Sequence, residues 1–345
     1  MTAPIWIACG GTGGHFMPGL VTGRALEARG FSVRYFGEGK PIEEDLMRAQ
    51  GVELIRPGEG GRLRRFCGLW RRLLQEERKG RPGAVLLFGG FSSLALGLHA
   101  RLRRIPAFIF EQNAVPGRVN RLLAAGAKKV LLTYGCARER LPSSADCVVT
   151  GNPVRLAPEA REREYDVLVL GGSQGAGALN CVLPGVLPQG LKILHLSGPG
   201  RSQEASAAYG DRAGVRVLEQ HPEVMALVAA SRWVVTRAGA TTLAELAAVG
   251  AAAIAVPYPH ARDDHQRRNA GELAAPGALL VIEEGELPAA AERLEKWLQD
   301  GDLAYRLGRK LKDSGLADPG ALRALAVLEA CAVLPGKGGA GFNPS

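Results

Sequence analysis

Short apolar runs bounded by glycine or polar turns recur along the whole chain. Ile5 to Cys9, Phe31 to Phe36, Val52 to Ile55, Ala84 to Phe88 and Ala107 to Phe110 have the length and β-branched or aromatic content of strands. A second series follows at Asp166 to Leu170, Lys192 to Leu196, Val215 to Leu218, Trp233 to Val235 and Ala252 to Val256. Helical spacing or turn-rich sequence separates them, so the chain reads as alternating strands and helices. That alternation predicts parallel sheets of the α/β class.

The order strand, glycine loop, helix occurs twice. Ile5 to Cys9 leads into Gly10-Gly11-Thr12-Gly13-Gly14-His15 and a helical pattern from about Pro18 to Arg29. Asp166 to Leu170 leads into Gly171-Gly172-Ser173-Gln174-Gly175-Ala176 and another helix. Two doubly wound, Rossmann-like domains facing across a cleft are the expectation, and 345 residues exceed what one core serves. The polar stretch from Leu156 to Arg163, with Pro158, reads as the linker between a domain of residues 1–155 and one of residues 164–318. Helices are expected over Leu287 to Gln299 and Leu303 to Lys312, with a last one from Gly320 to Val333 and an unordered glycine-rich tail over residues 335–345. Counting from Gly11, the sixth position of the first glycine loop is Phe16, so the dinucleotide fingerprint fails and no nicotinamide cofactor is expected.

Forty-three Lys and Arg against thirty-four Asp and Glu leave a formal charge of +9, which suits an anionic partner without choosing among nucleotide, nucleic acid and membrane surface. Part of the excess lies in residues 62–74. There Phe66, Leu69, Trp70, Leu73 and Leu74 recur at helical spacing among Arg62, Arg64, Arg65, Arg71 and Arg72. Such a helix either lies on an anionic bilayer or packs on a core with a solvated basic face. No apolar run reaches the length of a membrane span and no signal peptide is read at Met1, so any membrane association is expected to be peripheral. The six cysteines form no CxxC pair and read as reduced thiols.

Candidate chemistry clusters where strands end. After Trp233-Val234-Val235 comes Gly239-Ala240-Thr241-Thr242-Leu243-Ala244-Glu245, a glycine turn opening a helix. The N–H groups of such a helix start attract phosphate, and Glu245 one turn along can accept bonds from two ribose hydroxyls. The loop at Ser173 supplies a second anion site, which suits a diphosphate. His15 is placed either to act as a general base or to shape its turn. Glu111 and Asn113, after the strand ending at Phe110, are either functional or caps of the following turn. Gln266 and Asn269 share a helix face and can read sugar hydroxyls. The neighbouring His260, Asp263, Asp264 and His265 read as helix-start capping residues in preference to a metal site, and Asp300-Gly301-Asp302 reads as a turn.

Six stretches in this order, GGTGGHFMP (10–18), EQNAVPGRVNR (111–121), GNPVR (151–155), GGSQGA (171–176), TRAGATTLAEL (236–246) and PYPHARDDHQRRNA (257–270), resemble the MurG family. The resemblance implies a GT-B fold with an acceptor domain followed by a donor domain, and a last helix (residues 319–334) crossing back to the first domain. It implies an inverting hexosyltransferase that moves N-acetylglucosamine from UDP-N-acetylglucosamine to the muramyl C4 hydroxyl of a lipid-linked muramyl pentapeptide, forming lipid II. Carried over by motif, Thr12, Gly13, Gly14, Asn113, Arg155, Ser173, Ala240 to Glu245 and Gln266 contact the donor. His221 or Gln220 lies near the uracil, His15 matches the proposed base, and Glu111, on the acceptor side, is the second catalytic candidate. No metal, cofactor or nucleic acid is implied, and the enzyme is expected at the cytoplasmic face of the membrane. Phe91-Ser92-Ser93-Leu94-Ala95 departs from the family's acceptor loop. A UDP-N-acetylglucosamine 2-epimerase or another GT-B glycolipid synthase would use the same donor machinery.

Overall fold

The structure, a computed structural model, describes residues 3–10, 13–40, 43–44, 47–48, 50–158, 162–172 and 175–334. The chain forms two compact units, Met1–Arg155 together with the segment from Asp318 onward, and Leu156–Ala317.

In the first unit β1 (Ile5–Ala8), β2 (Val33–Phe36), β3 (Leu54–Ile55), β4 (Ala84–Leu87), β5 (Ala107–Glu111), β6 (Lys129–Leu132) and β7 (Cys147–Val149) form one sheet in the order β3-β2-β1-β4-β5-β6-β7. Every described pairing is parallel, with Ile7 opposite Tyr35 on one side and Leu86 on the other. Alternate residues serve opposite faces. Ile5, Ile7, Leu86, Phe108 and Phe110 enter one core, while Trp6, Ala8, Val85, Leu87 and Ile109 enter another. That is why β1 is apolar without a break: a strand covered on both faces has no position for a polar side chain. The strand β8 (Asn152–Val154) closes the segment.

The second unit repeats the plan. Strands β9 (Tyr165–Leu170), β10 (Ile193–Leu196), β11 (Val215–Leu218), β12 (Ser231–Thr236), β13 (Ala252–Ala255) and β14 (Leu280–Val281) lie in the order β11-β10-β9-β12-β13-β14, all parallel. Each sheet reverses direction of growth beside its first strand, between β1 and β4 and between β9 and β12. At such a switch point the carboxyl-end loops diverge and leave a crevice for a ligand.

The chain then returns. The strand β15 (Ala317–Pro319) pairs with β8, and the helix Leu322–Ala330 places Ala324, Leu325 and Leu328 in the first unit's core with Phe16 and Leu20. Buried Asp318 fixes its start, accepting the Arg323 and Ala324 N–H groups at 2.9 Å each. Arg29 and Glu329 form an ion pair on the same face.

Three boundaries differ from the sequence reading. The first helix begins at Gly13, not near Pro18, because the first turn of a helix needs no internal acceptors and a glycine run can coil into it. Residues 284–289 form a 3-10 turn around Pro288 before the helix Ala291–Gln299, since proline cannot donate in a helix interior. Asp300 caps the helix Gly301–Asp313 through the Leu303 N–H at 2.8 Å. Strands β6, β7, β8, β14 and β15 were not anticipated. Among the described residues no helix is long and apolar enough to cross a membrane, and the tail, residues 335–345, lies outside them.

Leu328 is fully buried. Leu328→Ala is expected to cost about 2–5 kcal/mol in the first unit, read as a lowered urea midpoint of its transition.

Candidate functional site

At the carboxyl edge of the first sheet, His15 lies in the first turn of the helix Gly13–Glu27, half-buried, directly after Gly14. Its ring rests on Gly89, the residue that leaves β4. A Cβ at Gly89 would stand 3.1 Å from His15 Nε2, and its φ of +105° is glycine's territory. The stretch that departs from the family pattern forms the start of the helix Gly90–Arg103. Ser92 Oγ accepts the Gly10 N–H at 3.2 Å, and Ser93 Oγ accepts the Gly89 N–H at 2.9 Å. Ser92 therefore binds the loop after β1 to the helix after β4, and Ser93, whose Oγ also donates to the Ala8 carbonyl at 3.3 Å, ties the loop after β4 to the end of β1. Thr12 lies outside the described residues.

Glu111 ends β5 and is buried. One carboxylate oxygen accepts the Asn113 N–H at 2.9 Å; the other accepts Gly117 N–H at 2.9 Å and Asn120 Nδ2 at 2.8 Å. Burial raises its pKa, and these donors pull it back only in part. With both oxygens engaged, Glu111 organises the 111–117 loop and presents no open face to a substrate, which is the capping alternative. Asn113 is half-buried within that loop, and Arg155, half-buried, follows β8 at the boundary between the units.

In the second unit the helix Ala240–Val249 starts right after Gly239, beyond β12. Leu243 and Ala244 are fully buried, and the Leu243 N–H already reaches the Gly239 carbonyl at 2.9 Å. Their side chains belong to the core. The side chains of Thr242 and Glu245 are only half-buried, and the N–H groups at Ala240, Thr241 and Thr242 have no acceptor four residues back within the helix. The companion loop follows β9. Ser173 lies outside the described residues, but its flank is built for close backbone approach: Gly175 has φ +73°, and a Cβ there would meet the Ser197 carbonyl at 2.1 Å.

Gln266 Oε1 accepts the Tyr258 N–H at 2.9 Å, which fixes the loop after β13. Asn269, its neighbour three residues on, is fully buried and donates from Nδ2 to the Ala238 carbonyl at 3.2 Å. The two amides thus part company. Asn269 supports the glycine turn from behind, so its place as a sugar reader is corrected, and Gln266 alone stays near the surface. His221, after β11, accepts the Glu223 N–H on Nδ1 at 3.2 Å.

Two supports escaped the sequence reading. Arg237, nine-tenths buried, donates to the Val256 carbonyl at 3.1 Å, pairs with Glu284 and lies 5.4 Å over the Tyr258 ring. It ties the loop after β12 to the loop after β13. His195, on β10, contacts Asn180 Oδ1 at 3.0 Å and the Tyr209 hydroxyl at 3.1 Å, and Asn180 Nδ2 reaches the Ser197 carbonyl at 3.1 Å. Burial lowers His195 to about 4, so the ring is neutral at pH 7 and clamps the Gly175 flank without charge. Arg237 stands inside the TRAGATTLAEL stretch, one residue past a buried strand, but nothing in that stretch by itself assigns it a supporting role.

Residues 5–132 match the Glycosyltransferase family 28 N-terminal domain and residues 166–307 the Glycosyltransferase family 28 C-terminal domain. A protein of Xylella fastidiosa (strain M12), the UDP-N-acetylglucosamine--N-acetylmuramyl-(pentapeptide) pyrophosphoryl-undecaprenol N-acetylglucosamine transferase, is 37% identical over 357 residues, 94% of this chain and 94% of that protein. The chain belongs to the MurG family. The crystal structure of Acinetobacter baumannii MurG is similar with a TM-score of 0.76 at 27% identity, over 95% of this chain and 99% of that one. A UDP-GlcNAc 2-epimerase from Neisseria meningitidis, bound to UDP-GlcNAc, reaches a TM-score of 0.66 at 12% identity, over 95% of this chain and 100% of that one, and shares the GT-B fold.

Asn269→Ala removes a buried donor and leaves the Ala238 carbonyl without that bond. It is expected to destabilise the second unit by about 1–3 kcal/mol, measured by urea unfolding.

Proposed function

We propose that this chain is the inverting transferase that moves N-acetylglucosamine from UDP-N-acetylglucosamine to the muramyl C4 hydroxyl of a lipid-linked muramyl pentapeptide, forming lipid II. The observation that carries the reading is 37% identity along 94% of the chain to a transferase of that name. The acceptor oxygen attacks the anomeric carbon as the bond to UDP breaks, and the electron pair leaves with the diphosphate. His15 takes the hydroxyl proton. The helix start at Ala240, with the loop around Ser173, receives the diphosphate, because preorganised N–H groups stabilise developing negative charge without reorganising. Glu245 holds the ribose, and Gln266, whose Oε1 is already engaged, offers its Nε2 to the sugar. Thr12, Gly13, Gly14, Asn113, Arg155 and His221 complete the donor contacts by motif.

The acceptor's lipid anchor asks for a membrane-facing surface, and we assign the helix Arg62–Lys79 to it. Leu69 and Leu73 are buried in the core, with Phe66 and Trp70 packed against it, so the apolar stripe is mostly spent on packing. Its exposed residues include Arg62, Leu63, Arg64, Arg71 and Arg72, with Arg78 and Lys79 at its end. Attraction to acidic lipid is worth about 1 kcal/mol per basic residue near the surface, enough for a reversible contact. The enzyme then works at the cytoplasmic face of the membrane.

The deciding assay is transfer of labelled sugar from UDP-N-acetylglucosamine to a lipid-linked muramyl acceptor. Formation of the manno epimer from donor alone would instead mark an epimerase. Within that assay His15→Ala is expected to lower kcat about 10²- to 10⁴-fold at little cost to donor KM, and Glu245→Ala to raise donor KM; unchanged values would remove those roles. Glu at Arg62, Arg64, Arg71 and Arg72 together is expected to abolish cosedimentation with anionic vesicles while leaving transfer to a soluble acceptor analogue in place.

A further inference from the structure

Glu38 lies in the loop after β2, outside every motif of the family resemblance, yet its side chain reaches the switch point between β1 and β4. Its Oε1 accepts the Phe91 N–H at 2.8 Å, and its Oε2 pairs with Lys40 Nζ at 2.9 Å. The Glu38 side chain is largely buried, 11% exposed. Two glycines make room for it. A Cβ on Gly90 would stand 2.7 Å from Glu38 Oε1, and one on Gly10 2.7 Å from Glu38 Cγ. The His15 ring rests on Gly89, the next residue along. An imidazole and a carboxylate therefore press on successive residues of one glycine turn.

The loop that carries Glu38 is held from several sides. Glu43 accepts the Glu38 and Gly39 N–H groups at 2.8 and 3.0 Å, and Arg65 donates to the Glu38 carbonyl. The charged groups around the Glu38 carboxylate are Lys40 on its own loop and His15 from the helix Gly13–Glu27, while Glu43 and Arg65, from the helix Arg62–Lys79, engage its backbone. The helix Gly90–Arg103 contributes an N–H and no charge in its first turn. Burial alone would raise the Glu38 pKa, but Lys40, the Phe91 N–H and His15 together hold it below the usual carboxylate range. The group is an anion at neutral pH.

We propose that Glu38 is the anionic partner of His15: it stabilises the imidazolium formed as His15 takes the acceptor's hydroxyl proton, and Lys40 sets how much of that negative charge the ring feels. The proposal rests on His15 being the base. Glu38 touches no reacting atom and is a positioning residue. Its charge matters only once the proton has moved, so it favours the transition state over the ground state.

The test is the pH dependence of kcat at saturating donor in the full chain, where the acid limb reports the base. Glu38→Gln keeps an oxygen for the Phe91 N–H and removes the charge. An anion nearby raises the pKa of an imidazole, so its loss should move the acid limb down by about half a unit or more and lower the plateau at least about threefold, with donor KM unchanged. Lys40→Met frees the carboxylate and should move the limb up. A brace for the helix start, without electrostatic coupling, moves neither limb. His15→Gln separates the two readings: a limb that survives it overturns the base assignment and this proposal with it. A limb lost in His15→Gln but unmoved by Glu38→Gln and Lys40→Met overturns this proposal alone.

Discussion

A strand buried on both faces offers no side chain to solvent, so a sheet of such strands can act on a ligand only through the loops at its ends. β1, β4, β9 and β12 are all of this kind, with most residues under one or two percent exposed. Parallel pairing in the order 3-2-1-4 then sends the loops after β1 and β4, and those after β9 and β12, to opposite sides of a gap. His15, the serines at 92 and 93, Gly175 and Gly239 all stand at these gaps for that reason. The glycines there answer the same constraint, because the backbone must pass within contact of a neighbouring carbonyl or side chain.

Loops at the end of a sheet that keep one geometry cannot rely on solvent-exposed bonds. Here they are pinned from below by buried polar side chains. Glu111 gathers two donors of its own loop and one from the helix Arg118–Ala124, Asn269 and Arg237 hold the turn after β12, and the His195–Asn180 pair holds the flank of the turn after β9. Each such group has been taken out of water and gains nothing unless its bonds are made, so each specifies one loop geometry over others. The basic helix Arg62–Lys79 follows the same economy: one side fills the core, the other carries charge.

Most strands of both sheets, the duplicated strand, loop and helix order, the two-domain α/β plan and the helix start after Gly239 were legible in the residues, because period and glycine punctuation are local signals. What each polar residue in these stretches does was less so. Glu111 and Asn269 have the right chemistry for a ligand, and only their burial and bonding give them to the scaffold. Leu243 and Ala244 sit inside a binding motif but face the core, a fact set by the helix phase. Glu38 and Arg237 were missed because their partners are remote in the chain: Glu38 meets Phe91 across 53 residues, and Arg237 meets the Val256 carbonyl across 19. No pattern along the sequence records such pairings.

The return of the chain from the second unit to pack Leu325 and Leu328 beside Phe16 makes the second unit an insertion within the first. On the ribosome the amino-terminal sheet emerges early but lacks one wall of its core until the carboxyl-terminal helix leaves the tunnel. The inserted unit has its whole sequence in hand sooner. Synthesis at about 5–20 residues per second leaves the open apolar face of the earlier unit waiting through the time needed to make the later one. The segment that completes the fold last is thus the one most exposed to loss by premature termination, and a chain cut short there loses the wall behind its own first glycine loop.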